Sequence, residues 1–261
     1  MEYTRGAVDQ GLVFGIWPNN EKGGFVHRID LFNTSQRLVH FLQGQIGGEI
    51  QERHRQEKYS PARKTHYVLS IANAQAGIEF VDRALVSGML LFKKDVAEKY
   101  ADFLRAKING QRIEDLNVLL ERFRGAKKSS PVEELYLPSP VDLAGRLDEN
   151  GFIGVQERSQ KDPLKRSYAQ VRLGTAFVPL GLGLQQKYGG SFFPNGSKYL
   201  YVVNEDQATR VLQNALPYLR NMQERAQLAL EFEVINRQRG TTDQQRADLI
   251  NRIRQLNVNP V

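Results

Sequence analysis

Apolar positions along the chain switch between a period of two and a period near 3.6, and this switching predicts alternating strands and helices. The run from Leu12 to Trp17 is β-branched and aromatic, and the run from Phe25 to Phe32 resumes that character after a turn rich in Pro, Asn and Gly. The two runs therefore predict a hairpin. A helix should follow, since Leu38, Phe41, Leu42 and Ile46 fall at helical spacing before Gly47 and Gly48 end it.

The next stretch is polar and rich in Lys and Arg. Residues 49–64 predict a linker within a second hairpin, ahead of an apolar strand at 67–71. Three helices, at 75–86, 93–108 and 113–123, should close the first half.

The second half repeats this order. Residues 151–155 match the first strand, 165–173 match the second, and 199–203 match the strand at 67–71. Helices predicted at 207–216, 223–235 and 243–256 match the three that close the first half. This is a duplication rather than a many-unit solenoid, with one repeat at 1–125, a linker at 126–139 and the other repeat at 140–261.

Composition narrows the class of partner. The 261 residues carry a net charge of +7 from 36 Lys and Arg, which favours a polyanionic partner because cations gain affinity by releasing phosphate counterions. The absence of cysteine excludes disulfides and thiolate zinc sites. The sequence shows neither a secretory signal nor an apolar run of membrane-spanning length. We therefore expect an intracellular protein of the cytoplasm or an organelle matrix, not secreted and without a membrane span.

The most specific block runs from Leu143 to Gly151. Ala144 and Gly145 permit close approach between helices, an acidic and amide cluster follows at the helix end, and Gly151 turns the chain into a strand. A plain helix C-terminus with a glycine stop would share part of this pattern. The block resembles the signature of the LAGLIDADG homing endonucleases, in which two such helices pack together and hold their terminal carboxylates over DNA.

That resemblance implies an α+β fold of two pseudo-symmetric αββαββα repeats forming a saddle of two antiparallel sheets, in a monomeric single chain. Basic and amide side chains on one sheet face would suit the major groove, although any solvated sheet face carries such residues. The candidate nucleic-acid contacts are His27, Arg28, Gln51, Arg53, His54, Arg55, Lys64, Gln156, Arg158, Lys165, Arg166, Gln170 and Arg172.

The chain departs from the family at the catalytic positions. In the family, a carboxylate before the last glycine of each signature helix holds divalent metal. Here that position is Asn150, and in the first half it is Gln10, in a segment that is one residue short. The resemblance also assigns Lys93 to a lysine that assists cleavage, with Met222 at the matching place. Asp148 and Glu149 are alternative metal ligands, although the position of Asp148 more often caps a helix in the family.

The sequence therefore predicts a nucleic-acid-binding protein with a degenerate active site and no cofactor. It would act on RNA as a maturase-like or ribosome-associated protein, alone or as part of a ribonucleoprotein. One alternative is an active homing endonuclease or nickase that cleaves double-stranded DNA with Mg²⁺. Another is a protein-interaction module, which would leave the basic hairpins unexplained.

Overall fold

The computed structural model divides the chain into two compact units, Tyr3–Glu133 and Glu134–Val261. Among the residues that it describes, no helix combines the length and the apolar composition that crossing a membrane requires. The described residues are 2–19, 24–56, 63–127, 135–156, 167–196, 198–238 and 241–258.

The first unit contains one four-stranded antiparallel sheet in the order β1-β2-β4-β3. Its elements in chain order are α1 (Glu2–Gly11), β1 (Leu12–Pro18), β2 (Phe25–Asn33), α2 (Gln36–Ile46), β3 (Glu49–Gln56), β4 (Arg63–Ile71), α3 (Ala74–Val86), α4 (Lys94–Ile108) and α5 (Ile113–Ala126).

The second unit repeats this order with a sheet arranged β5-β6-β8-β7. Unlike the first unit as described, it also contains a short 3-10 helix at Leu216–Tyr218, which we call the 3-10 turn. The elements are α6 (Pro140–Asn150), β5 (Gly151–Gln156), β6 (Tyr168–Thr175), α7 (Val178–Tyr188), β7 (Ser191–Asn195), β8 (Lys198–Asn204), α8 (Glu205–Ala215), α9 (Gln223–Arg237) and α10 (Asp243–Val258). The predicted duplication of an α+β repeat is confirmed.

The prediction of a polar linker at 49–64 was wrong for its first half, because residues Glu49–Gln56 form β3. This strand lies at the edge of its sheet and most of its described side chains are exposed. An edge strand exposed on both sides needs no apolar alternation, so the sequence gave no strand signal there. The counterpart β7 is short and also mostly exposed, and the sequence did not indicate it either.

The two repeats correspond down to single hydrogen bonds. Gly47 and Gly189 end α2 and α7 with φ of 78° and 79°. Their backbone amides donate to the backbone carbonyls of Gln43 and Gln185, both at 2.8 Å. A positive φ is cheap only for glycine, which explains the glycine at both helix ends. The Gln43 and Gln185 side chains then donate to the carbonyls of Gly48 and Gly190 at 3.0 and 3.2 Å.

Each sheet has one face covered by helices and an opposite face that we call the open face. Because side chains alternate along a strand, burial identifies the two sides: Phe14, Ile29 and Leu31 are buried on the helix side of the first sheet, as Val171 and Leu173 are in the second. On the first two strands of each sheet, the open face carries Val13, Gly15, Trp17, Val26, Arg28, Asp30 and Phe32, and Phe152, Gly154, Gln156, Tyr168, Gln170 and Arg172.

His27 lies on the helix side of β2, so its predicted role as a nucleic-acid contact is corrected. Its side chain alternates with that of Arg28 and is only 9% exposed. Burial lowers the pKa of His27 to about 4, and the nearby positive charge of Lys107 adds to the effect. The ammonium of Lys107 donates to the carbonyl of Phe25 at 2.7 Å. A neutral imidazole is therefore part of the core.

This buried histidine predicts acid sensitivity of the fold. In unfolded chain the pKa of a histidine is about 6.5, so between pH 6.5 and 4 the unfolded state binds more protons than the folded state. The contribution of His27 to the free energy of unfolding should be fully present above pH 6.5 and fall by roughly 3 kcal/mol as the pH drops to 4. Urea unfolding across this range measures it.

His27→Met should remove this component, since methionine does not titrate, whatever its own effect on stability at pH 7. His40→Gln, at an exposed position of α2, is the matched control and should keep the wild-type profile. Equal pH profiles for wild type and His27→Met would contradict the prediction.

Candidate nucleic-acid interface and helix ends

The C-terminal end of α1 is fixed by a buried carboxylate. Asp9 is fully buried and its Oδ1 accepts hydrogen bonds from the amides of Phe92 at 3.1 Å and Lys93 at 3.3 Å. These amides precede α4, which begins at Lys94. The first amides of a helix have no partner within the helix and carry the positive end of its dipole, so a carboxylate there is stabilising. Asp9 thus ties α1 to the start of α4.

Asp148 does the same at the end of α6. Its Oδ2 accepts from the amide of Arg220 and its Oδ1 from the amide of Met222, both at 2.7 Å, directly ahead of α9. Burial lowers the pKa of the Arg225 guanidinium on α9, and the negative charge of Asp148 opposes that shift. The Asp148 carboxylate therefore has both oxygens engaged in holding a helix start.

The two caps establish which residues of the repeats correspond. Lys93 and Met222 occupy the same N-cap position, with φ of −106° and −103°. The spacing from Gly6 to Asp9 in α1 equals the spacing from Gly145 to Asp148 in α6. The first signature helix is therefore not short by one residue between its glycine and its capping carboxylate.

The strand register extends this correspondence past the helix end. Leu12 pairs with Leu31 and Gly151 pairs with Leu173, and Leu31 and Leu173 stand equally far before the N-caps of α2 and α7. Leu12 thus corresponds to Gly151, and Gly11 corresponds to Asn150. The predicted equivalence of Gln10 and Asn150 is corrected, because Gln10 corresponds to Glu149 when the two repeats are aligned.

These helix ends do not fit the divalent metal that the fold family implies. The position before the strand is a glycine in one repeat and the exposed amide of Asn150 in the other, and hard cations such as Mg²⁺ prefer carboxylates. The part of the chain that the structure describes contains no cluster of three or more His, Asp or Glu able to hold a metal. The predicted ligand Asp148 serves as a cap. Glu149 is half-buried, and its metal role stays a prediction.

Lys93 reaches the start of β1. Its ammonium donates to the carbonyl of Leu12, next to Gly11, whereas Met222 has no donor for such a contact. Lys127 donates to the carbonyl of Phe14 at 3.1 Å on the same strand. Because β1 is an edge strand, its outward carbonyls have no strand partner. Lys93 and Lys127 therefore occupy the free edge of the first sheet.

On the first open face, a guanidinium is held beside an aromatic ring. Arg28 donates from Nε to Asp30 at 2.7 Å, and Ser70 donates to the other oxygen of Asp30 at 2.6 Å. The Arg28 guanidinium lies 5.9 Å from the centroid of the Trp17 ring. Trp17 folds over Gly15, where a Cβ would fall 2.1 Å from a ring carbon. Only glycine at this position lets the ring rest on the strand.

The second open face repeats the arrangement with other side chains. Arg172 donates from Nη2 to Gln156 at 2.9 Å and from Nε to Gln170, and its guanidinium lies 5.2 Å from the Phe152 ring centroid. Phe152 rests on Gly154, where a Cβ would fall 2.5 Å from the ring. Gly15 and Gly154 occupy corresponding strand positions. Each open face thus carries one unit of ring, glycine and arginine.

Some of the remaining candidate contacts lie among the described residues and others do not. Arg53 shares the open face with Gln51, to which it donates at 3.0 Å, whereas His54 points to the other side, 3.5 Å from Glu52. The prediction that His54 lies on the same sheet face as the other candidate contacts is therefore corrected. Outside the described residues lie Arg158, Lys165 and Arg166, together with the side chains of Arg55 and Lys64 on β3 and β4.

Sequence reasoning missed the aromatic part of this candidate interface. It selected Arg28 and Arg172 by charge but overlooked Trp17 and Phe152. The available signal was an aromatic residue two positions from a glycine within a strand, because a ring commonly covers the gap that a strand glycine leaves. Alternation from Arg28 would also have placed Phe32 on the same face.

The capping carboxylates predict a stability effect. Asp148→Asn should lower the free energy of unfolding by about 1–2 kcal/mol, because the amide supplies one acceptor and no charge to two helix-start amides. Asp9→Asn should cost a similar amount in the other repeat. Urea unfolding measures both. Asp102→Asn, at an exposed position on α4, is the control, and losses no greater than its loss would contradict the capping role.

No family model and no curated protein sequence matches the chain. A lysine-to-alanine mutant of I-SmaMI matches with a TM-score of 0.71 and 14% identity over 100% of both chains. The LAGLIDADG meganuclease I-AabMI, bound to uncleaved DNA, matches with a TM-score of 0.71 and 14% identity over 97% of both chains. I-GzeII in complex with its DNA target matches with a TM-score of 0.69 and 13% identity, over 97% of this chain and 96% of that one.

Proposed function

The chain has the fold of the LAGLIDADG homing endonucleases, and from this premise we propose that it binds RNA through the open faces of its two sheets without cleaving it. The observation that carries the proposal is the guanidinium group that each open face holds beside a ring, Arg28 on the first face and Arg172 on the second. Each is held by side-chain acceptors beside an exposed ring. A preorganised arginine binds phosphates and base edges without first losing side-chain freedom.

Charge and fold support a nucleic-acid partner. The net charge of +7 favours phosphate binding, and Arg53 adds an exposed cation on the first open face. Among the structural neighbours, I-GzeII and I-AabMI are bound to DNA. Because this chain shares their fold, a nucleic acid bound to it would lie against the open faces of its two sheets.

The helix ends support binding without cleavage. I-SmaMI has been captured with uncleaved DNA in the presence of calcium and with cleaved DNA. In this chain, Gly11 and Asn150 supply no negative charge at the matching helix ends, and Asp9 and Asp148 are engaged with backbone amides. A cation there would gain too little to displace its hydration shell.

Exposed rings favour RNA over duplex DNA. Trp17 and Phe32 on the first open face and Phe152 on the second are exposed, whereas reading a duplex in the major groove depends on polar donors and acceptors. Sequence-specific RNA recognition relies on stacking of unpaired bases on aromatic side chains. One observation favours the alternative of an active DNA endonuclease or nickase. The Lys93 ammonium lies at the first residue of β1, next to Gly11.

Native purification followed by nuclease digestion tests the partner directly. The co-purifying nucleic acid should be sensitive to RNase and resistant to DNase. Its affinity should fall with salt by about 0.7 log units per log unit of salt for each phosphate contact. Removing Arg53 and Arg172 together, as Arg53→Gln with Arg172→Gln, should lower this slope by about 1.4.

The control for charge is Arg83→Gln with Arg112→Gln, two exposed positions away from the sheets. This pair should leave the slope near that of the wild type. An equal drop in both double variants would show that the open faces have no special role, and co-purification of duplex DNA alone would overturn the RNA assignment.

The chemistry of the helix ends gives a further prediction. Incubated with Mg²⁺ or Mn²⁺, the protein should cleave neither its co-purified nucleic acid nor duplex DNA of that sequence, as read by denaturing gel electrophoresis. Metal-assisted hydrolysis needs ligands that hold the cation in place, and Gly11 and Asn150 do not supply them. Metal-dependent cleavage that Glu149→Gln abolishes would refute this and assign a ligand.

A further inference from the structure

We propose that Trp17 and Phe152 are stacking seats for unpaired bases of a single-stranded RNA segment, one seat on each open face. This inference rests on the proposed function and deepens it by naming the part of the ligand that each sheet takes. Each seat consists of an aromatic ring, the glycine beneath it and the arginine beside it.

The first seat is defined by how Trp17 lies on Gly15. A Cβ on Gly15 would fall 2.1, 2.4 and 2.8 Å from three carbons of the indole benzene ring. Three such close approaches mean that the ring lies against the strand with one face. Trp17 is nevertheless 45% exposed, so part of the ring remains accessible from outside the sheet.

The second seat consists of Gly154, which corresponds to Gly15, and the Phe152 ring. A Cβ on Gly154 would fall 2.5 and 2.7 Å from two ring carbons of Phe152, and the side chain is 38% exposed. In the first repeat the ring follows its glycine by two residues, and in the second it precedes it by two. The same local arrangement is thus reached by different sequence orders.

A flat partner suits both rings. A ring resting on backbone has already lost its side-chain freedom, so stacking on it costs little further entropy. Base stacking on aromatic side chains contributes substantially to binding of single strands and tolerates any base, since every base has a π face. Within a duplex those faces are covered by neighbouring bases, so the partner must be unpaired.

The arginines argue against an apolar protein segment as occupant. Arg28 and Arg172 each place a guanidinium over the ring, 5.9 and 5.2 Å from its centroid, within range of a cation–π interaction. An apolar partner would bury these charged groups without giving them an acceptor. A nucleotide supplies both a base for the ring and a phosphate for the arginine.

The two seats differ in charge. Arg28 is bonded to the Asp30 carboxylate, which leaves that pair near neutral. Arg172 is bonded to the side-chain amides of Gln156 and Gln170, which are neutral and do not offset its positive charge. The second seat should therefore contribute more of the phosphate attraction, and the first more of the stacking.

The chain contains one tryptophan, so its intrinsic tryptophan fluorescence reports on the first seat alone. The full chain is titrated with an unstructured single-stranded RNA, with the duplex formed by that RNA and its complement, and with duplex DNA of the same sequence. The single strand should bind most tightly and quench Trp17. Trp17→Leu and Phe152→Leu should each weaken its binding by about 5- to 100-fold.

Glycine variants test the seats without removing a ring. Gly15→Ala and Gly154→Ala should force the ring off the strand and weaken binding of the single strand, with Gly15→Ala also changing the tryptophan emission of the free protein. Tyr218→Leu, an exposed ring on the 3-10 turn, is the matched control and should bind like the wild type. If the glycine variants fail to fold, the leucine variants decide, because they alter exposed side chains.

Wild-type affinity for the single strand in both Trp17→Leu and Phe152→Leu would overturn the stacking seats while leaving RNA binding in place. Tightest binding to duplex RNA or duplex DNA without any change in Trp17 fluorescence would also overturn them. Failure of the proposed function looks different, since neither the single-stranded RNA nor the duplex RNA would then bind.

Discussion

The contact between a buried carboxylate and the start of a distant helix determines the layout of both repeats. Asp9 holds the amides before α4 and Asp148 holds those before α9, although each pair lies far apart in the chain. Each helix that carries such a carboxylate also leads directly into the edge strand of its sheet, β1 or β5. The cap therefore fixes where that strand begins, and with it the register of the open face.

This arrangement separates the groups that maintain the fold from the positions to which the LAGLIDADG resemblance assigns metal binding. Asp9 and Asp148 are buried and bonded to backbone, so replacing either one has a cost in stability. Gly11 and Asn150 lie at the same helix ends but take no part in the caps. Substitutions at those two positions can therefore leave the caps, the sheets and the open faces intact.

Much of this was predictable from the sequence. Hydrophobic periodicity and the paired glycines Gly47 and Gly189 indicated the repeats, and Leu143 to Gly151 indicated the family fold. The exposed edge strands β3 and β7 were harder, because strands without a buried face lack alternation. His27 was misplaced because charge and polarity alone do not say to which side of a strand a residue points. Gln10 was misaligned because a one-residue offset at a glycine is settled only by strand pairing.

The lysines at the free edge of the first sheet have a consequence for how the protein behaves in a crowded solution. An edge strand with open carbonyls next to exposed apolar groups such as Val13 and Trp17 invites pairing with another chain. On β1 the carbonyls of Leu12 and Phe14 are occupied by ammonium groups, and on β5 that of Ile153 is occupied by the amide of Asn257 at 3.2 Å. The outer edges of β1 and β5 therefore offer fewer open carbonyls to a strand of another copy, even though the exposed rings Trp17 and Phe152 lie on these same strands.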